Sequence, residues 1–182
     1  MRSSQNANLV ATNVRWLRQA LALVSRLDDA SYSSEPMTLS GYRVGSHLRH
    51  ILEFYECFLD GMEWLRIDYD ARRRDEGLER SRIAAAGRIN LLILRLEHDP
   101  RLLDDAALLV RIEDAAPGAR DPWLSSSIGR ELQQLSSHTI HHFALIAVTL
   151  IAHGIAVDPN FGMAPSTIRF NQSRSMAATE AA

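Results

Sequence analysis

Three histidines stand within five residues, His138, His141 and His142, where the chain begins its most apolar segment. A buried imidazole needs a hydrogen-bond partner or a metal ion, because burial removes the water that would otherwise contact its nitrogens. On an α-helix, His138 and His142 differ by roughly 40° around the axis, whereas His141 points roughly 80–100° away. His138 and His142 can therefore bind one metal ion together, at about 2.0–2.1 Å from each ring nitrogen.

A third ligand has to come from another part of the chain, and the segment SHLRHILEFYECF offers His47 and His50. On a helix, His50 shares its side with Phe54 and Cys57, while His47 lies about 60° around the axis. Three histidines leave a coordination position open, which is typical of catalytic metal sites. The alternative is that each imidazole simply bonds an ordinary group in the core, as most buried polar side chains do. Geometry alone leaves both interpretations open.

Apolar residues at helical spacing predict four long helices, at 6–29, 44–64, 78–97 and 128–153. Between the third and fourth, two short β-favouring runs flank Pro117-Gly118, which predicts a small inserted β-hairpin. The expected fold class is therefore all-α, a four-helix bundle carrying that hairpin. We expect one domain over residues 1–170, with an ordered loop after the fourth helix and a flexible tail at 171–182.

Composition excludes several classes of function. The 182 residues carry a formal net charge of −2, so no nucleic acid or anionic membrane is expected as a partner. All 20 basic residues are arginine, which excludes a Schiff-base lysine and a P-loop. One cysteine excludes an intrachain disulfide. With no signal-peptide pattern and no apolar run of about 20 residues, we expect a cytoplasmic protein that does not enter a membrane.

The sequence resembles the DinB/YfiT-like family of metal-binding four-helix-bundle proteins. GSHLRHILEFYECF is similar to the family's second-helix segment, and HTIHHFALI to the cluster on its last long helix. The resemblance implies that the metal ligands are His50, His138 and His142, with His47 kept as an alternative on the second helix. It further implies zinc or nickel as cofactor, and hydrolysis or thiol (S-)transfer on a small molecule, with a low-molecular-weight thiol as one partner.

Other residues have both a functional and a structural interpretation. Glu131 lies on the face of His138 and is either a hydrogen-bond acceptor for a metal-bound imidazole or an ordinary partner of a neighbouring helix. Cys57 is more typical of a small buried side chain than of a ligand. The charged loop 68–75 either binds an anionic substrate through its arginines or is a solvated surface. Trp16, Trp64 and Trp123 as surface residues would favour a homodimer, and the oligomeric state stays open.

Two functions from different classes follow. The first is a metal-dependent enzyme in which the open coordination position activates water or a thiol. The second is a non-catalytic helical binding or stress-response module, in which the histidines are structural or the metal only holds two helices together.

Overall fold

The computed structural model describes residues 2–112 and 122–180, and within these ranges the chain is mostly helical with one small sheet. The helices are α1 Arg2–Arg26, α2 Asp29–Ser33, α3 Val44–Gly61, α4 Glu76–Arg80, α5 Arg82–His98, α6 Ile128–Ala152 and α7 Pro165–Glu180. The strands are β1 Arg66–Ile67, β2 Ala107–Arg111 and β3 Trp123–Ser127. Two short 3₁₀ turns occupy Tyr69–Ala71 and Pro100–Leu103.

The four long helices pack around one apolar core, with α1 and α3 each contacting both α5 and α6. Their inward side chains recur every three or four residues, as the sequence pattern requires. The largest fully buried ones include Leu17 of α1, Phe58 of α3, Leu92 of α5 and Phe143 of α6. The packing of α3 against α6 matters most for function, because these two helices carry the histidines.

The fold is not purely all-α, because three strands form a sheet in the order β1-β2-β3. The predicted hairpin strands β2 and β3 pair antiparallel, with Leu109 opposite Ser125. The expected Pro117-Gly118 turn lies outside the described residues. Strand β1 was not predicted and pairs parallel with β2. Two residues are too few for a periodic pattern, so only the burial of Ile67 and its pairing with Val110 reveal this strand.

The segment between β1 and α5 is more ordered than its charged sequence suggested. Tyr69 and Leu78 are both buried, which makes the segment part of the core and not only a solvated loop. The third predicted helix is also divided, because Ser81 caps α5 by accepting a hydrogen bond from the amide of Ala84. Ile83, an apolar residue within the predicted range of that helix, is 72% exposed.

The remaining differences concern the connections and the tail. The serine-rich break after α1 contains the short helix α2, where Tyr32 is fully buried. Instead of an ordered loop alone, the segment after α6 leads into α7, whose described side chains Phe170 and Met176 are exposed. The flexibility of residues 171–182 stays a prediction.

Among the described residues, α6 alone is long and apolar enough to cross a membrane by length and composition. This helix packs against α1 and α3 and carries two of the clustered histidines.

Candidate metal centre

The three ligands expected from the sequence lie together between α3 and α6. The candidate nitrogens of His50, His138 and His142 are all within 4.8 Å of one another, and each residue is half-buried. Helix α3 contributes His50, and one face of α6 contributes the other two, which are four residues apart. His141 is exposed and contacts the group only through an edge-on ring contact with His142, at 5.2 Å between centroids.

The separation of the ring nitrogens suits a metal ion. The Nε2 atoms of His138 and His50 are 3.1 Å apart. Two imidazole nitrogens at tetrahedral positions around zinc would be roughly 3.3–3.4 Å apart, given bonds of about 2.0–2.1 Å. The ring of His142 lies 4.6 Å from that of His50 and 4.6 Å from that of His138, so the three imidazoles surround one point. A single imidazole–imidazole hydrogen bond would explain the first distance, but not the convergence of the third ring.

The environment keeps these imidazoles neutral, which is the form that binds a metal. Burial lowers the pKa of His50 to about 4, and the nearby guanidiniums of Arg72, Arg49 and Arg74 add to the effect. Burial likewise lowers the pKa of His138 to about 4 and that of His142 to about 3, with the neighbouring histidines as the next cause. At neutral pH the free electron pairs are therefore available without loss of a proton from the protein.

His47 contacts the centre from outside the group of three. Its Nδ1 atom lies 3.1 Å from Nδ1 of His142, and its ring is 5.7 Å from that of Tyr42. If Nδ1 of His142 donates to His47, the Nε2 atom of His142 is left with a free electron pair. Of the two histidines that α3 offers, His50 is the one grouped with His138 and His142, and His47 is their neighbour.

Unpartnered polar atoms concentrate around His50. Among the described residues, four buried side-chain nitrogen or oxygen atoms have no hydrogen-bond partner, and three belong to α3: His47 Nε2, Arg49 Nε and Glu53 Oε2. Glu53 is 1% exposed, and burial raises the pKa of its carboxyl group. Folded proteins satisfy nearly all such atoms, so the polar side chains of α3 are less completely hydrogen-bonded than is usual.

An aromatic stack forms one wall of the centre. The ring of Phe54 is nearly parallel to that of His138 at 4.0 Å and to that of Tyr69 at 4.8 Å. Tyr69 donates from its hydroxyl to Glu131 at 2.9 Å, which fixes the segment after β1 against α6. Tyr69 was not predicted to form part of this wall, because its position among charged residues gives no apolar pattern.

Glu131 and Cys57 both lie outside the group of three histidines. Glu131 accepts hydrogen bonds from Tyr69 and from Ser126, so its carboxylate joins the loop and β3 to α6. Cys57 is half-buried, and burial raises its thiol pKa to about 11, which keeps it protonated at neutral pH. Of the three tryptophans, Trp64 is 75% exposed, whereas Trp16 is partly buried and donates to Ser136.

The arginines of loop 68–75 lie beside the aromatic wall. The guanidinium carbon of Arg72 is 5.7 Å from the centroid of Phe54, and the side chain donates to the carbonyl of Tyr69. The next two arginines of the loop are exposed, and Arg74 has a positive φ of 53°, which is unusual for a residue other than glycine. The amide of Asp75 donates to buried Glu53 at 2.6 Å, which ties this end of the loop to α3.

Comparison with known proteins gives one similarity of limited extent. The chain is 35% identical over 103 residues to a protein named FK506-binding protein 5 from Rhizopus delemar. Those residues are 57% of this chain and 27% of that protein, so the chain spans about a quarter of the relative's length. No family model and no solved structure matches the chain.

The assignment to the DinB/YfiT-like family is therefore wrong. The matching relative carries the name of an FK506-binding protein, which does not fit that family. Two short histidine motifs were too little to define a family, since any pair of facing helices can place histidines at these spacings. The hydrolase and S-transferase activities that the resemblance implied lose that support, and the geometry of the histidines has to be judged by itself.

Proposed function

We propose that His50, His138 and His142 bind one divalent metal ion, zinc or nickel, and that the centre acts on a small molecule. The observation that carries this proposal is the convergence of three neutral imidazoles from two helices, two of them with Nε2 atoms 3.1 Å apart. Imidazole donors suit both metals. A bound ion would supply a Lewis acid with an open position for water or a small thiol.

The residues around the centre would orient the ligands and limit access of water. Phe54 stacks on His138 and so restricts the rotation of that ring. His47 contacts Nδ1 of His142 and favours the tautomer that leaves Nε2 free. In support of a rigid centre, we also infer that α1, α3, α5 and α6 form a four-helix bundle, because each packs against two of the others. We place the protein in the cytoplasm as part of the same proposal.

Metal analysis of the untagged protein tests the proposal directly. The full chain should retain close to one equivalent of zinc or nickel after dialysis against metal-free buffer, and His142→Ala should retain far less. His141→Ala is the matched control, because His141 is a neighbouring histidine on the same helix that lies outside the group of three. Equal, sub-stoichiometric metal in all three proteins would disprove the metal centre.

A non-catalytic binding module is the second candidate, and the name of the fungal relative favours it. In this case the metal, if bound, only connects α3 to α6, and the ligand binds elsewhere. Titration calorimetry with FK506, with and without added zinc, separates the two functions. Binding that is independent of zinc and unchanged in His142→Ala would support the module, whereas a metal-dependent reaction in a substrate screen would support the enzyme.

A further inference from the structure

The loop between β1 and α4 is held rigidly beside the histidine centre. At its start, Asp68 accepts hydrogen bonds from the amides of Asp70 and Ala71. In its middle, Tyr69 stacks on Phe54 and bonds Glu131. At its end, the amide of Asp75 donates to Glu53. These contacts fix the backbone from which Arg72 and Arg74 extend.

The arginines of this loop form fewer close ion pairs with carboxylates than the arginines around them. Arg43 and Arg49 form ion pairs with Glu79, both at 3.0 Å, and Arg111 pairs with Asp68 at 2.8 Å. Arg72 approaches Glu53 only to 3.9 Å, too far for a hydrogen bond. Arg74 makes no ion pair with any described residue.

The acidic groups near this loop are mostly engaged elsewhere. Asp68 pairs with Arg111, and Asp75 caps α4 and lies 3.6 Å from Arg88. Glu53 of α3 is buried between Arg49 and Arg72 at 3.9 Å from each. Arg72, which lies over Phe54, thus has no carboxylate within hydrogen-bond distance, and its charge would attract an anion.

The conformation of Arg74 is a second sign of a functional position. A left-handed backbone has a free-energy cost for a residue other than glycine, and such residues cluster at ligand sites. Glycine would avoid this cost, but it would remove the guanidinium. Arg72, two residues earlier on the same fixed backbone, reaches the centre through the aromatic wall, because its guanidinium carbon is 5.7 Å from the ring of Phe54, which stacks on His138 at 4.0 Å.

We propose that the substrate of the histidine centre is a small molecule bearing an oxyanion, a carboxylate or a phosphate, which Arg72 and Arg74 bind while its other end reaches His50, His138 and His142. This inference rests on the proposed metal centre and names its substrate class. Guanidinium groups bind both oxyanions through paired N–H donors, and such charge-assisted bonds are the strong ones. The aromatic wall of Phe54 lies between the two ends.

Ligand binding to the cobalt-substituted full chain tests this inference. The probes are 3-mercaptopropionate and its neutral amide, whose thiols bind cobalt and give a visible absorption change. We expect the acid to bind about 10-fold more tightly than the amide, as one charge-assisted hydrogen bond allows. Arg72→Gln and Arg74→Gln should each reduce this ratio, while the cobalt affinity measured beside it should not fall, because each change removes a positive charge that repels the cation. Competition by acetate and by inorganic phosphate at constant ionic strength shows which oxyanion is preferred.

Arg73→Gln is the matched control, since it removes the same charge from the same loop at an exposed residue without the left-handed backbone of Arg74. Equal affinities for acid and amide in the unchanged protein would disprove the oxyanion site while leaving the metal centre intact. A ratio that falls as much in Arg73→Gln as in Arg72→Gln would also disprove it, because it would show only a general charge effect. Failure to bind cobalt would remove both proposals.

Discussion

Two groups of polar residues lie side by side between α3 and α6, and they differ in how many of their polar atoms have a hydrogen-bond partner. In the first, Asn13 donates to the carbonyls of Leu9 and Leu132 and accepts from Tyr55, whose hydroxyl also lies 3.2 Å from Thr139. In the second group, the histidine cluster, ring nitrogens lie beside one another. Three side-chain atoms of the same helix, α3, have no hydrogen-bond partner. Tyr55 directly follows Phe54 and Thr139 directly follows His138, so only the direction of the side chains separates the two groups.

The two groups therefore have different roles, one in stability and the other in ligand binding. The Asn13 group is internally complete, so it stabilises the contact between α1, α3 and α6 and offers nothing to a ligand. The histidine cluster is incomplete, so it gains most from an added ion or molecule. Variants in each group should therefore affect different measurements.

The largest expected effect is the stabilisation of the histidine cluster by metal. Zinc at about 1,000 times its dissociation constant should stabilise the protein by about 4 kcal/mol, because it binds only the folded chain. His138→Ala should lose this stabilisation, and Thr139→Val, which alters the neighbouring group, should keep it. Thermal unfolding with and without zinc measures the difference, and equal shifts in both variants would remove the distinction between the groups.

The next effect belongs to the Asn13 group. Asn13→Ala should lower the free energy of unfolding by about 3 kcal/mol, because it removes three hydrogen bonds, two to the carbonyls of Leu9 and Leu132 and one from the hydroxyl of Tyr55. Zinc affinity should be unchanged, since Asn13 does not contact the histidines. Urea unfolding measures the stability and cobalt titration the affinity. A loss of metal binding with little loss of stability would reverse the assignment of the two groups.

The pH dependence of the metal-free protein should report the histidine cluster. An unfolded histidine binds a proton near pH 6.5, whereas burial holds the folded pKa values of His50 and His138 at about 4. The unfolded state therefore binds more protons between these pH values, and the free energy of unfolding falls as the pH drops from about 6.5 to 4. Urea unfolding across this range should show a shallower slope in His50→Gln than in the unchanged protein.

His47 tests whether the cluster depends on its neighbour. His47→Leu removes the group in contact with Nδ1 of His142 and should weaken cobalt binding by about 10–100-fold. His47→Asn keeps an acceptor close to the position of Nδ1 and should retain most of the affinity. Similar cobalt affinities in the Leu and Asn variants would disprove the role in positioning His142. A change of cobalt coordination number in both would make His47 a ligand instead.

The smallest effect concerns the backbone of the loop. Arg74→Gly removes the cost of a left-handed residue but adds flexibility to the unfolded chain, so stability should change by less than about 1 kcal/mol. Arg73→Gly has no such cost to remove and should be the less stable variant. Thermal unfolding of the two variants compares them, and an order in which Arg74→Gly is clearly less stable would argue against strain at Arg74.

Much of the helical framework and the three candidate ligands could be predicted from the sequence, because helical periodicity is a local property. The spacing of His138 and His142 is sufficient to place both on one face, and the apolar stripe of α3 places His50 toward it. The sequence could not reveal that Tyr69 forms part of the wall or that β1 pairs with β2, since both depend on contacts with distant segments. The family, in contrast, was inferred from motifs too short to define one.

The distance along the chain between the paired histidines has a consequence for when the centre first exists. His50 and His138 are 88 residues apart, and His47 and His142 are 95 apart. Synthesis at about 5–20 residues per second leaves α3 without α6 for on the order of 10 s. During this interval only the two histidines of α3 are available as metal ligands, and two histidines bind metal ions weakly and with little selectivity. Selection among metals therefore belongs to the finished protein and its surroundings, not to the growing chain.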